Sequence, residues 1–72
     1  MSNTELRNIA FEKKKEVIAK YGGGKKVAEM LGISPPAVSK WDLIPPYRAF
    51  QISQYGDFTM AELRPDLNQT IS

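Results

Sequence analysis

The side chains that could do chemistry in this 72-residue chain include neither histidine nor cysteine. Their absence removes the commonest general base, the commonest metal ligand and all thiolate ligands. No paired carboxylates, no nucleophile beside a base and no cofactor loop can be assembled from the remaining residues. The triple glycine at residues 22–24 is not a P-loop, because the spacing G-x-x-x-x-G-K-[ST] is absent. The sequence therefore predicts no enzyme, no small-molecule substrate, no metal site and no cofactor.

The chemistry that the sequence does support is the binding of a polyanion by lysine and arginine. Residues 1–48 hold nine of these basic side chains and five acidic ones, whereas residues 49–72 hold one basic and three acidic side chains. A basic first part and an acidic last part suggest that one face of the protein meets a polyanion. An unevenly charged but merely solvated surface is the alternative interpretation.

Five short helices are predicted to position these side chains in a compact, all-α bundle. The third helix begins at a pair of prolines, and the start of the fifth is marked by a capping box formed by Thr59 and Glu62. Pro65 is expected to end the fifth helix. The predicted helices cover residues 4–21, 25–31, 35 to 41 or 42, 46–54 and 58–63.

The pattern of apolar residues predicts which parts of these helices are regular and buried. The lysines at positions 13–15 interrupt the apolar stripe of the first helix, so residues 12–21 are expected to be its regular part. The fourth helix is expected to bury Ala49, Phe50 and Ile52, or Ile52 together with Tyr55.

Residues 1–66 are expected to form a single domain, and residues 67–72 a flexible tail. The chain contains no run of 18 apolar residues, and its first residues lack the pattern of a secretory signal. No membrane association is predicted, and the cytoplasm is the expected compartment.

The second and third helices have the spacing of a helix-turn-helix. With Gly24 as the first residue of a twenty-residue unit, Ala28 lies where the two helices cross and only a small side chain fits. Gly32 takes the turn position that needs a positive φ angle. Five further positions seal the helices together and are all apolar: Val27, Leu31, Ile33, Val38 and Trp41. The pattern predicts a DNA-binding helix-turn-helix, with a plain helical hairpin as the alternative.

The segments KKVAEMLGISPPAVSKW, IPPYRA and ELRPD resemble the phage Cro-type repressors and their prophage relatives, over about residues 14–66. The resemblance implies a small dimeric transcriptional repressor that binds palindromic operators in double-stranded DNA as part of a lysogeny switch. It also implies a C-terminal third that is either helical or a β-hairpin, and the capping box favours the helix. The alternative function is a protein-interaction module, such as an antitoxin or an antirepressor, although that would not need basic residues clustered around one helix.

The third helix is expected to present its first turns to the major groove. Pro35 and Pro36, where relatives usually carry polar residues, fix the helix start and could contact thymine methyl groups. Ser39 and Lys40 lie one turn further along, where Lys40 could donate to a guanine or to a phosphate. The alternatives are a purely structural role for the two prolines and a solvated Lys40.

Phosphate anchoring is expected mainly at the starts of the second and fourth helices, where backbone N–H groups and basic side chains lie together. The residues expected to take part are Gly24, Lys25, Lys26, Ser34, Tyr47 and Arg48. Ser34 is also expected to cap the third helix.

A homodimer is expected, because a single short recognition helix contacts few bases and a palindrome doubles that number. Its contact is predicted to use apolar residues that follow the helix-turn-helix: Phe58, Met60 and Leu67.

Overall fold

Six helices follow one another along residues 2–68, the part of the chain that the computed structural model describes. No β-strand lies within these residues. The all-α prediction is therefore confirmed, and the C-terminal third is helical rather than a β-hairpin as far as it is described. The helices are α1 (Asn3–Lys20), α2 (Gly24–Leu31), α3 (Pro35–Ser39), α4 (Pro46–Ser53), α5 (Met60–Leu63) and α6 (Pro65–Asn68).

The first helix has the predicted length and is regular from its start, not only over residues 12–21, because a capping box stabilises its first turn. The Ser2 hydroxyl oxygen accepts a hydrogen bond from the Glu5 N–H at 3.1 Å, and the Glu5 carboxylate accepts one from the Ser2 N–H at 3.3 Å. These contacts satisfy two of the N–H groups that a helix start leaves unpaired. The helix therefore continues through its first turns, even though Ala10 and Val17 are its only buried residues.

The hydrophobic core lies where α1, α2, α4 and α5 meet. Helix α1 packs against α2, α5 and α6, and α4 packs against α2 and α5, whereas α3 packs closely against α2 alone within the described chain. Each fully buried aliphatic side chain of such a core contributes about 1.5–3 kcal/mol through removal of apolar surface from water. The core residues are Val17, Val27, Ala28, Leu31, Val38, Ile44, Ala49, Ile52, Phe58 and Leu63.

The fourth helix buries Ala49 and Ile52 as predicted, but Phe50 and Tyr55 were wrongly placed in the core. Their side chains are 53% and 52% exposed. Ala49 and Ile52 are three residues apart and share one face, whereas Phe50 lies about 100° further around the helix. Tyr55 follows the helix, and its hydroxyl donates to the Met30 carbonyl at 2.9 Å across the protein surface.

The end of the described chain differs from the prediction in one respect. The capping box of α5 is present as expected, with Glu62 N–H to Thr59 hydroxyl at 3.1 Å and Thr59 N–H to Glu62 carboxylate at 2.9 Å. Pro65, however, begins α6 instead of only ending α5, because proline suits the first position of a helix. Residues 67 and 68 therefore belong to a helix, and the rest of the predicted tail lies outside the described residues.

Within residues 2–68, no helix combines the length and the apolar character that crossing a membrane would require.

Candidate nucleic-acid interface

The turn between α2 and α3 has the geometry that the helix-turn-helix spacing predicted. Gly32 has a φ angle of 71°, in the left-handed region, and its N–H donates to the Glu29 carbonyl at 3.3 Å. The Ile33 N–H donates to the Ala28 carbonyl at 3.0 Å. Ala28 itself is 1% exposed, so the side chain at the helix crossing is buried. These contacts satisfy the last carbonyls of α2 and direct the chain into α3.

The start of α3 is shaped by its two prolines more than by its cap. Ser34 occupies the N-cap position with extended backbone, but its side chain accepts no capping hydrogen bond, contrary to the prediction. Pro35 and Pro36 have no N–H groups for a cap to satisfy. The first N–H of the helix belongs to Ala37 and donates to the Ser34 carbonyl at 3.0 Å. The Ser34 side chain thus remains exposed and is not used by its own helix.

Helix α3 has one buried and one exposed side. Val38 is 3% exposed and belongs to the core, whereas the four residues predicted to read bases are all exposed: Pro35, Pro36, Ser39 and Lys40. The helix ends at Ser39, earlier than predicted, and Lys40 is its C-cap. Trp41 follows, half-buried and packed against the core as expected. The structure therefore leaves the predicted base-reading side chains on one accessible surface.

The start of α2 packs against the buried side of α3. A Cβ atom added to Gly24 would be 3.7 Å from a methyl group of Val38, so the first turn of α2 approaches the middle of α3. Lys25 and Lys26, in the same turn, are exposed. Among the described residues, neither of them nor Lys40 forms a salt bridge. Their charges are consequently not neutralised by a neighbouring carboxylate.

The two predicted phosphate contacts on α4 differ in accessibility. Tyr47 is 65% exposed, whereas Arg48 is half-buried. The Arg48 guanidinium donates to the Gln51 side-chain oxygen at 2.7 Å, and its carbon lies 5.2 Å from the centroid of the Tyr47 ring. Arg48 therefore uses one of its five N–H donors within the chain, and a phosphate contact would draw on the others.

The lysines at positions 13–15 do not form an unpaired basic patch. Lys13 contacts Glu16 and Lys15 contacts Glu12, each at 2.9 Å. Lys14 is half-buried, and its ammonium group donates to the Trp41 carbonyl at 2.9 Å. The contact of Lys14 was not predicted, since nothing in the local sequence shows that α1 passes the residue that follows α3.

Arg64 and Asp66 form a buried ion pair that sequence reasoning also missed. The Nε–Oδ1 and Nη2–Oδ2 distances are 2.9 and 2.7 Å, and the two residues are 8% and 9% exposed. Nη1 of Arg64 donates to the Ile44 carbonyl at 2.7 Å. Hydrogen bonding from Arg64 holds the pKa of the Asp66 carboxyl below its ordinary value. The sequence signal was the Arg-Pro-Asp segment, in which proline turns the chain between the two charged residues.

The residues predicted to form a dimer contact are not equally accessible. Phe58 is 8% exposed, and its ring meets the Tyr21 ring edge-on with the centroids 6.1 Å apart. Met60 and Leu67 are half-buried. Phe58 therefore belongs to the core and leaves almost no surface for a second copy of the chain.

Tyr21 also links α1 to the loop before α5. Its hydroxyl donates to the Asp57 carboxylate at 2.9 Å. Burial, together with this hydrogen bond, raises the pKa of Tyr21 to about 12.

Two short helices that pack across a left-handed glycine turn, with the second exposing polar and basic side chains, define the helix-turn-helix class of DNA-binding domains. A scan against protein families matched residues 13–66, three quarters of the chain, to P22 Cro, described as the DNA-binding transcriptional regulator Cro. The chain belongs to this family, whose members are DNA-binding regulators and not a class of enzymes. The match spans all of α2 to α5. Searches of curated proteins and of solved structures found no match.

Proposed function

We propose that this Cro-family regulator is a sequence-specific repressor that inserts α3 into the major groove of an operator. The observation that carries this proposal is the accessible surface of α3, together with three exposed lysines, two on α2 and one at the end of α3, that form no salt bridge within the described chain. Such a surface combines groups that can read base edges with charges that can neutralise phosphates. Occupation of the operator then excludes the polymerase, and no chemical step is needed.

Base reading is assigned to the exposed side chains of α3 and its C-cap. Lys40 donates to guanine O6 and N7 or to a neighbouring phosphate, and Ser39 provides a hydroxyl that can donate or accept. Pro35 and Pro36 supply an apolar edge that suits thymine methyl groups. Because the prolines also fix the start of α3, the apolar edge is held in place without loss of conformational entropy on binding.

Phosphate binding is assigned to the first turn of α2 and to side chains around it. The N-terminal end of α2 carries partial positive charge and unpaired N–H groups, which suit a phosphate oxygen. Lys25 and Lys26 add full charges there, and the exposed Ser34 hydroxyl provides a further donor. Tyr47 and Arg48 extend the contact along the backbone from α4.

The operator is proposed to be a palindrome bound by two copies of the chain, in a phage or prophage regulatory switch. Helix α3 has five residues, so one copy contacts few base pairs, and a second copy doubles the number of contacts. The dimer contact is proposed to use Met60 and Leu67. Phe58 is not retained in this contact, because it is buried within its own chain.

Fluorescence anisotropy with DNA that flanks the gene, and with a scrambled duplex, tests this function. Specific binding should weaken with salt, with a slope of about −0.9 per phosphate neutralised. The Lys40→Met variant should bind the specific duplex about 5- to 100-fold more weakly, as expected for loss of one good base contact. Lys15→Met is the matched control, because Lys15 carries the same charge on α1 and contacts Glu12.

Equal loss in the two variants would show that Lys40 acts only through its charge. Sedimentation with and without a palindromic duplex tests the dimer. Equal and weak binding to both duplexes by the wild-type protein would contradict the repressor and favour a protein-interaction module.

A further inference from the structure

The orientation of α3 depends on two connections to the rest of the domain. Helix α2 is the only helix of the described chain that packs closely against it. After Ser39 the chain runs through residues 40–45, here named the exit loop, before α4 begins. Because α3 is so short, its contact with α2 alone does not fix its angle. The exit loop must therefore hold the end of α3.

Two basic side chains from distant parts of the chain contact the backbone of the exit loop. Lys14 of α1 donates to the Trp41 carbonyl at 2.9 Å, and Arg64, between α5 and α6, donates to the Ile44 carbonyl at 2.7 Å. The Ile44 side chain is fully buried in the core. Arg7 also meets Asp42 at 3.3 Å, but both side chains are more than half exposed, so this pair fixes little.

Arg64 is well suited to this task because its guanidinium cannot turn freely. Two of its nitrogen atoms bind both carboxylate oxygens of Asp66, which leaves Nη1 aimed at the Ile44 carbonyl. A bidentate contact fixes the plane of the guanidinium as well as its position. The ion pair therefore holds the Arg64 side chain in one orientation and connects the start of α6 to the exit loop.

We propose that Lys14 and Arg64 are positioning residues for DNA recognition, which fix the angle of α3 by binding the exit-loop carbonyls of Trp41 and Ile44. This inference rests on the proposed function, since the angle matters only if α3 reads bases. Base contacts tolerate displacements of only about 0.5 Å and 10–20°. Non-specific attraction to phosphates has no such geometric requirement. Loss of a positioning residue should therefore lower specific binding more than non-specific binding.

Lys14 and Lys15 provide a matched pair for this test. Both are lysines of α1, and both ammonium groups lie over the Phe11 ring, at 4.4 and 4.9 Å from its centroid. They differ in that Lys14 reaches the exit loop, whereas Lys15 contacts Glu12 on its own helix. Replacement by methionine removes the same charge in each case and keeps an unbranched apolar side chain of similar length.

The experiment begins with selection of duplexes from a random pool by the wild-type protein. Anisotropy then gives the affinities of wild type, Lys14→Met, Lys15→Met and Lys14→Arg for the selected duplex and for a scrambled one. In Lys14→Met the ratio of specific to non-specific affinity should fall about tenfold, the scale of a lost hydrogen bond to a charged group. In Lys15→Met the ratio should stay unchanged, and Lys14→Arg should restore most of it.

The ratio distinguishes positioning from a general loss of stability. A less stable variant has a smaller folded fraction, which lowers binding to both duplexes by the same factor and leaves the ratio unchanged. Thermal unfolding of each variant measures that fraction. Equal ratios for Lys14→Met and wild type, with a clear preference of wild type for the selected duplex, would overturn the positioning role and leave the repressor standing. Failure of the wild type to select any sequence would instead overturn the repressor and the positioning role together.

Discussion

Replacement of Gly32 by alanine tests whether the turn of the helix-turn-helix depends on a left-handed backbone. Gly32 has a φ angle of 71°, and a Cβ atom added there meets nothing within 4 Å. The cost of alanine is therefore backbone strain without a steric clash. A left-handed conformation costs an L residue about 1–2 kcal/mol. A smaller part of this is offset because alanine restricts the unfolded chain. We expect Gly32→Ala to lower the free energy of unfolding by about 1 kcal/mol.

Gly24→Ala is the matched control within the same motif. Gly24 lies in α2, its φ angle is not positive, and an added Cβ atom would be in ordinary contact with Val38 at 3.7 Å. Alanine at this position should stabilise the fold by about 0.4–1 kcal/mol, because it restricts the unfolded chain and suits a helix. The two variants add the same methyl group and should change stability in opposite directions.

Urea unfolding followed by circular dichroism measures both changes. For a domain of this size, 1 kcal/mol corresponds to about 4–8 °C in Tm, so thermal unfolding gives an independent value. The slope of the free energy against urea should be the same in both variants and in the wild type, since the surface exposed on unfolding does not change. A Gly32→Ala variant as stable as the wild type would refute the reasoning, since the turn would then accept alanine without strain.

Two further variants test contacts outside the motif. Arg64→Met leaves the Asp66 carboxylate buried without its partner and should cost about 3–5 kcal/mol at pH 7 in urea unfolding. The wild-type pair stabilises the fold above the ordinary pKa of Asp66, 3.8, and this contribution is lost as the pH falls. In Arg64→Met this loss of stability on acidification should disappear. An acid sensitivity equal to that of the wild type would contradict the role given to the Arg64–Asp66 pair. The pKa of Tyr21 is raised, so its protonated hydroxyl contributes to the free energy of unfolding. This contribution is complete below pH 10 and is lost as the pH rises from 10 to about 12. Tyr21→Phe should remove that part of the destabilisation at high pH. The prediction would be contradicted if the free energies of unfolding of variant and wild type differed by a constant amount across this pH range.

The helix-turn-helix could be predicted because its signals are local. The positive φ angle of Gly32 and the small side chain of Ala28 at the crossing follow from steric rules that hold wherever two helices meet at a tight turn. The start of α1 was also encoded locally, by the Ser2–Glu5 capping box. The regularity of its first turns was underestimated because the prediction relied on the apolar stripe, and these turns bury only Ala10. Pro65 follows the same rule as Pro35, since both begin a helix.

The remaining features could not be predicted, because they depend on contacts between distant parts of the chain. The spacing of apolar residues in α4 does not show which of Ala49 and Phe50 faces the core until α2 and α5 are in place. Lys14 and Trp41 are 27 residues apart, and Arg64 and Ile44 are 20 apart. Neither contact leaves a pattern in the sequence, because the residue type does not show whether a basic side chain binds a carbonyl or water. The sequence names the candidate base- and phosphate-binding residues, which stay predictions, but it does not show the contacts of Lys14 and Arg64 that support α3.

Ser39 and Lys40, two of the residues proposed to read DNA, lie outside the core that holds α3 in place. Val38 is buried, whereas Ser39 and Lys40 are exposed. Substitutions at exposed positions of this kind usually change stability by less than about 0.5 kcal/mol. Under the proposed base reading, single mutations at these two positions would change operator preference over evolutionary time without a compensating mutation elsewhere. Under the same proposal, related regulators would acquire different operators while they keep the same scaffold.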